Sequence, residues 1–256
     1  MKIEQEHKLM TSLSREQKLS LSDTMKLLGV SESTARRMFA RLEENGYAVR
    51  THGGIQCVNQ TMMLYSFEQG TKTNIAKKAA IGRKACSLLR DGDVIFCDSG
   101  TTIQCFCNEM IFYIRDKKIN IKVYTNSLAN LELLSPHMKV TLIGGEYRTN
   151  RKDFFGYIGE QALGGLYFDK TFIGADGCVD AQCFTTTDFE TARLDEIAMK
   201  NSESTIMLVD SSKFSVFSHV SFAPVKSLYA IVTDHGITKE TQSKIEKEGC
   251  RIILSD

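Results

Sequence analysis

The chain has 256 residues, 42% of them hydrophobic, with 32 Lys and Arg against 31 Asp and Glu for a net charge of +1. That length accommodates two folded units, and the near-neutral balance excludes a coat of non-specific basic character. No apolar run reaches the ~18 residues of a membrane span, and the segment from Met1 to Glu6 lacks the apolar core of a signal peptide, so a cytoplasmic protein without a membrane partner is expected.

Ile3, Met10 and Leu13 suggest a first helix over roughly Lys2 to Gln17. A short second helix follows, with Ser22 as its expected cap, Asp23 in its first turn and Gly29 at the sharp corner that closes it. Ser31 then reads as the cap of a third helix. On that helix Ala35, Met38, Phe39 and Leu42 make an apolar face. The opposite face carries Ser33, Arg36, Arg37, Ala40 and Arg41. A helix with small residues and guanidiniums on its outer face is suited to a major groove. There an arginine donates two parallel bonds to guanine or clamps a phosphate. Tyr47 to Val58 alternates about His52-Gly53-Gly54 as a hairpin, with Arg50 and His52 placed to touch the DNA backbone or minor groove. Three helices and a basic wing make a winged helix-turn-helix over residues 1–58, and its candidate DNA contacts are Ser31, Ser33, Thr34, Arg36, Arg37, Arg41, Arg50 and His52.

The motif Val30-Ser31-x-x-Thr34-x-Arg36-Arg37, followed by Leu42-Glu43-x-x-Gly46 and His52-Gly53-Gly54, resembles the DNA-binding half of the DeoR family of bacterial transcription regulators. Many members carry Asp where this chain has Met38, and Met38 falls on the apolar side of its helix. Residues 1 to 60 hold nine Lys and Arg against seven Asp and Glu, a net of +2. With so little charge per reader, several protomers acting together on double-stranded operator DNA are expected.

Residues 59–73 read as a linker. From residue 74 to 256 short apolar runs alternate with helical stretches, at Val94–Cys97, Ile121–Tyr124, Val140–Ile143, Thr171–Ile173, Thr205–Val209 and Leu228–Val232. Alternation of this kind implies an α/β domain with a mostly parallel sheet covered on both faces. A polar cluster follows each of the first five runs: Asp98-Ser99-Gly100-Thr101-Thr102, Thr125-Asn126-Ser127, Gly144-Gly145-Glu146, Gly174-Ala175-Asp176-Gly177 and Asp210-Ser211-Ser212-Lys213. Ligands of such sheets bind where the carboxyl ends of strands open a crevice. Ser99 to Thr102 can cradle a phosphate at a helix start, and Lys213 can add a full charge. Asp98, Asp176 and Glu190 suit sugar hydroxyls, and Asn126 both donates and accepts.

This half also resembles the family, in its effector domain, which is related in fold to ribose-5-phosphate isomerase. The matching residues are Lys72-x-x-Ile75-Ala76, Asp98-x-Gly100-Thr101-Thr102, Thr125-Asn126-Ser127, Gly144-Gly145, Gly174-Ala175 and Asp210-x-Ser212-Lys213-Phe214. The resemblance implies a phosphorylated sugar or sugar derivative as effector, usually releasing a repressor from its operator, and the need for several protomers on the operator leads to the expectation of a homo-oligomer, dimer or tetramer. Ser215 stands where members often have Gly, and a Gly expected near Ala181 to Phe184 is missing. The expected effector contacts are Asp98, Ser99, Gly100, Thr101, Thr102, Thr125, Asn126, Ser127, Gly145, Asp176, Glu190 and Lys213.

A competing reading is a sugar-phosphate isomerase-like enzyme carrying an accessory DNA-binding domain. Fold relationship alone is weak evidence for activity, and a reader domain has no use in a purely metabolic enzyme. The eight cysteines sit singly or in apolar runs, and Cys105-x-Cys107 lacks the partners of a zinc site. Reduced, buried thiols, no metal and no cofactor are therefore expected.

Overall fold

The computed structural model describes residues 5, 8, 9, 12, 13, 16, 18–44, 48–57, 66–216 and 218–255, and the chain divides into two compact units, Met1–Tyr65 and Ser66–Asp256. Of the expected first helix, Gln5, Lys8, Leu9, Ser12, Leu13 and Glu16 are helical, with Leu9 and Leu13 buried; Ile3 and Met10 lie outside the described residues. So do positions 59–65 of the expected linker, after which Ser66 caps a short helix, Phe67–Gly70.

In the first unit, strand β1 (Lys18–Ser20) leads straight into the helix Leu21–Leu28. Its cap is Ser20, whose Oγ accepts from the Asp23 N–H at 3.0 Å, and not the expected Ser22. The strand ends at Ser20, so the helix opens two residues earlier than its polar run suggests. Gly29 closes it at φ 62°, the left-handed corner that glycine adopts without penalty. The helix Glu32–Glu44 follows, and then the wing, β2 (Ala48–Thr51) and β3 (Gly54–Cys57). β1 pairs antiparallel with β3, which makes the wing a three-stranded sheet in the order β1-β3-β2. Leu9, Leu13, Leu19, Leu28, Met38, Phe39, Leu42, Ala48 and Ile55 form one core. Met38 is therefore a packing residue, as its position on the helix implies.

The second unit contributes β4 (Val94–Cys97), β5 (Lys122–Thr125), β6 (Val140–Leu142), β7 (Glu146–Arg148), β8 (Asp153–Phe155) and β9 (Phe168–Ile173). After these come β10 (Gly177–Val179), β11 (Cys183–Thr186), β12 (Ser202–Leu208), β13 (Val220–Pro224), β14 (Ala230–Thr233) and β15 (Arg251–Leu254). Seven form a wholly parallel sheet in the order β15-β14-β12-β9-β4-β5-β6. Successive residues alternate faces. Ile95 and Cys97 pack with Ile81, Phe106 and Met110 on one side, while Phe96 packs with Leu163, Leu194 and Ala198 on the other. Both faces are covered, and so the buried parts of the strands, such as residues 95–97 and 206–208, read as short apolar runs. The hairpin β7-β8 and the small sheet β10-β11-β13 escape detection from sequence, because most of these strands are three to five residues long and none shows a clear period.

The helices Ile75–Cys86 and Thr101–Lys117 pack closely at Gly82, where an added Cβ would lie 2.8 Å from the backbone N and Cα of Phe106. Backbone cannot swing aside as a flexible side chain can. Gly82→Ala is expected to destabilise the second unit by about 1–3 kcal/mol, read from urea unfolding of the full chain.

Candidate functional site

The helix Glu32–Glu44 presents the polar face anticipated for it. Ser31 Oγ accepts from the Thr34 N–H at 3.4 Å and lies 3.1 Å from both Ser33 Oγ and Thr34 Oγ1. Arg36, Arg37 and Arg41 are exposed along the next turns. Their surroundings differ. Arg36 Nε donates to Glu32 at 2.8 Å, whereas Arg37 makes no ion pair or hydrogen bond with another described residue. On the wing, Arg50 is tied to Glu43: its main-chain N–H reaches Oε1 at 3.0 Å and its Nε reaches Oε2. The Arg50 main-chain N–H, then its side chain, hold the Glu43 carboxyl below the usual range. His52 is exposed at the turn, beside Gly53 at φ 91°.

In the second unit the strand order fixes where a ligand can sit. β4, β5 and β6 run to one side and β9, β12, β14 and β15 to the other, so the order reverses between β4 and β9. The crevice of a parallel sheet opens at such a reversal, outside the carboxyl ends. Asp98 and Gly174 are the residues directly after those two strands, and Asp98 Oδ2 accepts from the Gly174 N–H at 3.4 Å. A Cβ on Gly100 would come within 3.6 Å of Asp98 Oδ2, and one on Gly174 within 3.8 Å. A side chain at either glycine would sit in direct contact with this one buried carboxylate, in the space over it.

At one end of this space the helix Thr101–Lys117 starts after Gly100 with no side-chain cap, leaving its first N–H groups to an anion. Lys78 is the neighbour that the sequence did not advertise. It is buried, and its ammonium donates to Thr101 Oγ1 at 3.0 Å and to the Gly70 carbonyl at 2.7 Å. Burial pushes the Lys78 pKa down, Asp210 opposes this, and the Lys213 charge adds to it. Lys213 lies half-buried in the turn Ser211–Ser215, capped by Asp210.

At the other end lies a ladder of charge. Ser99 Oγ donates to Asp153 Oδ2 at 3.1 Å, and Asp153 takes a two-pronged contact from Arg148 at 2.9 and 2.8 Å. Arg148 continues to Asp188 and, at 3.0 Å, to Thr191 Oγ1, with its guanidinium over the Phe155 ring. Arg151 lies 3.8 Å from both Asp188 and Asp176 and donates to Thr187 Oγ1 at 2.7 Å. Asp176 accepts from the Thr187 N–H and Oγ1, both at 2.9 Å. Burial raises the Arg148 side chain's energetic cost, but Asp153 and Asp188 outweigh it and hold the guanidinium charged. Burial likewise pushes Asp188 up, yet the Thr191 N–H and Arg148 prevail and its carboxyl sits below its ordinary pKa. Asp98 and Asp195 go the other way. Burial, reinforced by neighbouring carboxylates, pushes Asp98 up and Asp195 well up.

Thr125, Asn126 and Ser127 are buried at the end of β5, where Thr125 Oγ1 donates to the Cys97 carbonyl at 2.6 Å. Asn130, absent from the sequence expectations, donates to the Asp98 carbonyl at 2.9 Å. Among the described residues, Asn126 Oδ1, Asn130 Oδ1 and Asp195 Oδ2 are buried without a hydrogen-bond partner. Gly145 has φ 152°, and a Cβ there would meet the Phe155 carbonyl at 2.2 Å, so its glycine is accounted for by the β7-β8 hairpin. Glu190 is exposed in the first turn of the helix Phe189–Lys200. The residues that sequence missed, Arg148, Arg151, Asp153 and Asp188, come from the hairpin and a helix cap. Only Asp188, three residues before Thr191, carried a local signal.

A model of the DeoR-like helix-turn-helix domain matches residues 6–61, and one of the DeoR C terminal sensor domain matches residues 73–235. The chain is 33% identical over 224 residues to a lactose phosphotransferase system repressor of Staphylococcus epidermidis, covering 86% of each. It is 32% identical over 217 residues to the uncharacterized HTH-type transcriptional regulator FruR of Bacillus subtilis, covering 84% of each. A putative aga operon transcriptional repressor of Escherichia coli O157:H7 is 29% identical and is matched over 98% of this chain and 93% of its own length. Among solved structures, ribose 5-phosphate isomerase A of Methanocaldococcus jannaschii aligns with 56% of this chain and 55% of its own, at 20% identity and a TM-score of 0.43. No helix among the described residues is long and apolar enough to cross a membrane.

Two outcomes follow from the charge ladder. Arg148→Ala strands the fully buried Asp153 and should cost about 3–5 kcal/mol in urea unfolding. For Asp195 the folded-state pKa is raised, so its contribution to stability is complete below the unfolded value of about 4 and is lost as pH rises through the folded value. Asp195→Asn is expected to match the parent near pH 4 and to be the more stable protein at pH 7.

Proposed function

The chain belongs to the DeoR family of bacterial transcription regulators, and on that premise we propose that it is a DNA-binding repressor of a carbohydrate operon whose release is set by a phosphorylated sugar. The observation that carries this reading is the crevice between β4 and β9. Around Asp98 lie an uncapped helix start and two lysines, Lys78 and Lys213, on one side, and buried acceptors and carboxylates on the other. A phosphate suits the first end. Unpartnered acceptors are costly when buried, and hydroxyl groups of a sugar would satisfy them. The ligand we assign therefore has a dianionic head and a polyol tail.

Arg37 is the side chain best placed to read a base, being exposed and without a partner among the described residues. Ser31, Ser33, Thr34, Arg36, Arg41, Arg50 and His52 complete the proposed DNA surface. Two or more protomers on one operator would supply the affinity that a net charge of +2 per reader does not. The relatives named as repressors favour regulation over isomerase chemistry.

The two sites separate in mutation. Arg37→Ala should cost roughly 1–3 kcal/mol on the operator and leave the response to effector intact. Thr101→Ala and Lys213→Ala should spare operator binding and abolish release by the sugar phosphate, both measured by fluorescence anisotropy. A wild-type release curve for Lys213→Ala would remove the phosphate end from this reading.

A further inference from the structure

We infer that the cleft between the helix Glu32–Glu44 and the wing seats one DNA-backbone phosphate, and that Glu43 is the positioning residue that aims Arg50 at it. The cleft has a volume of about 340 Å³, and Arg36, Phe39, Glu43, Arg50, Gly53 and Gly54 line it. Arg36 and Arg50 thus line one space together with the Glu43 carboxylate and the two glycines of the wing turn.

Both arginines are anchored by a glutamate. Arg36 Nε is held by Glu32 at 2.8 Å, one helical turn earlier. Arg50 is held more firmly, because Glu43 takes its main-chain N–H with one oxygen and its Nε with the other. β2 is an edge strand, paired only with β3, so the Arg50 main-chain N–H points outward and would otherwise face solvent. Glu43 thereby fixes the start and the head of the same side chain. The pair uses Nε and leaves the two terminal nitrogens as the fork for a phosphate, the two-bond geometry that a guanidinium suits. A long side chain fixed in advance loses less freedom on binding than a free one. The carboxylate stays ionised throughout the neutral range, since its neighbours hold its pKa down.

A phosphate seat is blind to sequence, so a random-sequence 30-base-pair duplex serves as probe. The full chain, Arg50→Ala, Glu43→Gln and the double variant are titrated against it by fluorescence anisotropy at several KCl concentrations. Arg50→Ala is expected to lower affinity roughly tenfold and to flatten the slope of log affinity against log salt by about 0.9. An unchanged slope would remove the seat. Glu43→Gln keeps an acceptor for the Arg50 N–H but loses the charge, which favours any polyanion whether or not Arg50 is present. The comparison between backgrounds is therefore the readout. With Glu43 as a positioning residue, Glu43→Gln is at least threefold less favourable to binding with Arg50 than with Ala at that site, by the factor expected from about 0.7 kcal/mol or more of coupling. Equal effects in both backgrounds, or a larger gain with Arg50 present, would overturn the assignment; the second result would make Glu43 a competitor for the phosphate.

Discussion

Reversal of strand order between β4 and β9 is the constraint on which the second unit depends. In a wholly parallel sheet every strand ends on the same side, and the connecting helices must diverge wherever the order reverses. Chain geometry alone opens a crevice there. Asp98 and Gly174 sit at its two lips, and a side chain at Gly100 or Gly174 would pack directly against the carboxylate. Burial cost is then handled differently on the two sides. Arg148 and Arg151 hold Asp153, Asp176 and Asp188 in ion pairs, while Asp98 and Asp195 have their pKa values raised. The ladder braces a β7-β8 hairpin of six paired residues that could not be stable by itself.

The first unit solves a different problem with the same chemistry. A reader with a net charge of +2 cannot rely on bulk attraction to a polyanion. Its arginines are accordingly individual instruments: Arg37 exposed and without a partner among the described residues, Arg36 and Arg50 each backed by a glutamate. A reader that bound any duplex tightly would be hard to release.

Much of this was legible in the sequence, for identifiable reasons. The recognition helix could be read because apolar and polar faces alternate with helical period from Ser31 to Leu42, and Leu42, Ala35 and Phe39 are buried accordingly. The parallel strands could be read because burial on both faces makes their buried parts short apolar runs. Asp98 and Asn126 directly follow β4 and β5, and Thr101 starts the helix after β4, so the polar clusters do stand at strand ends. Lys78 was hidden because one lysine inside an alanine-rich helix looks like any solvated charge, and only tertiary packing brings it to Thr101. Arg148 and Asp153 were hidden by the shortness of their strands, and Arg151 lies in the turn between them. The cap of the helix Leu21–Leu28 was misplaced because several serines, Ser20 and Ser22 among them, offer equal local chemistry, and pairing of β1 with the wing decides between them.

The proposed effector carries a phosphate at one end and hydroxyls at the other. Thermal melting of the full chain against sugar phosphates and their unphosphorylated parents tests this most directly. A ligand that binds only the folded state at a hundred times its dissociation constant adds about 2.7 kcal/mol. At least one phosphorylated sugar should raise the melting midpoint, its parent should not, and the rise should disappear in Thr101→Ala and Lys213→Ala. If parents and phosphates shifted the midpoint equally, or if none shifted it in a protein that still bound DNA, the crevice between β4 and β9 would not be a sugar-phosphate site.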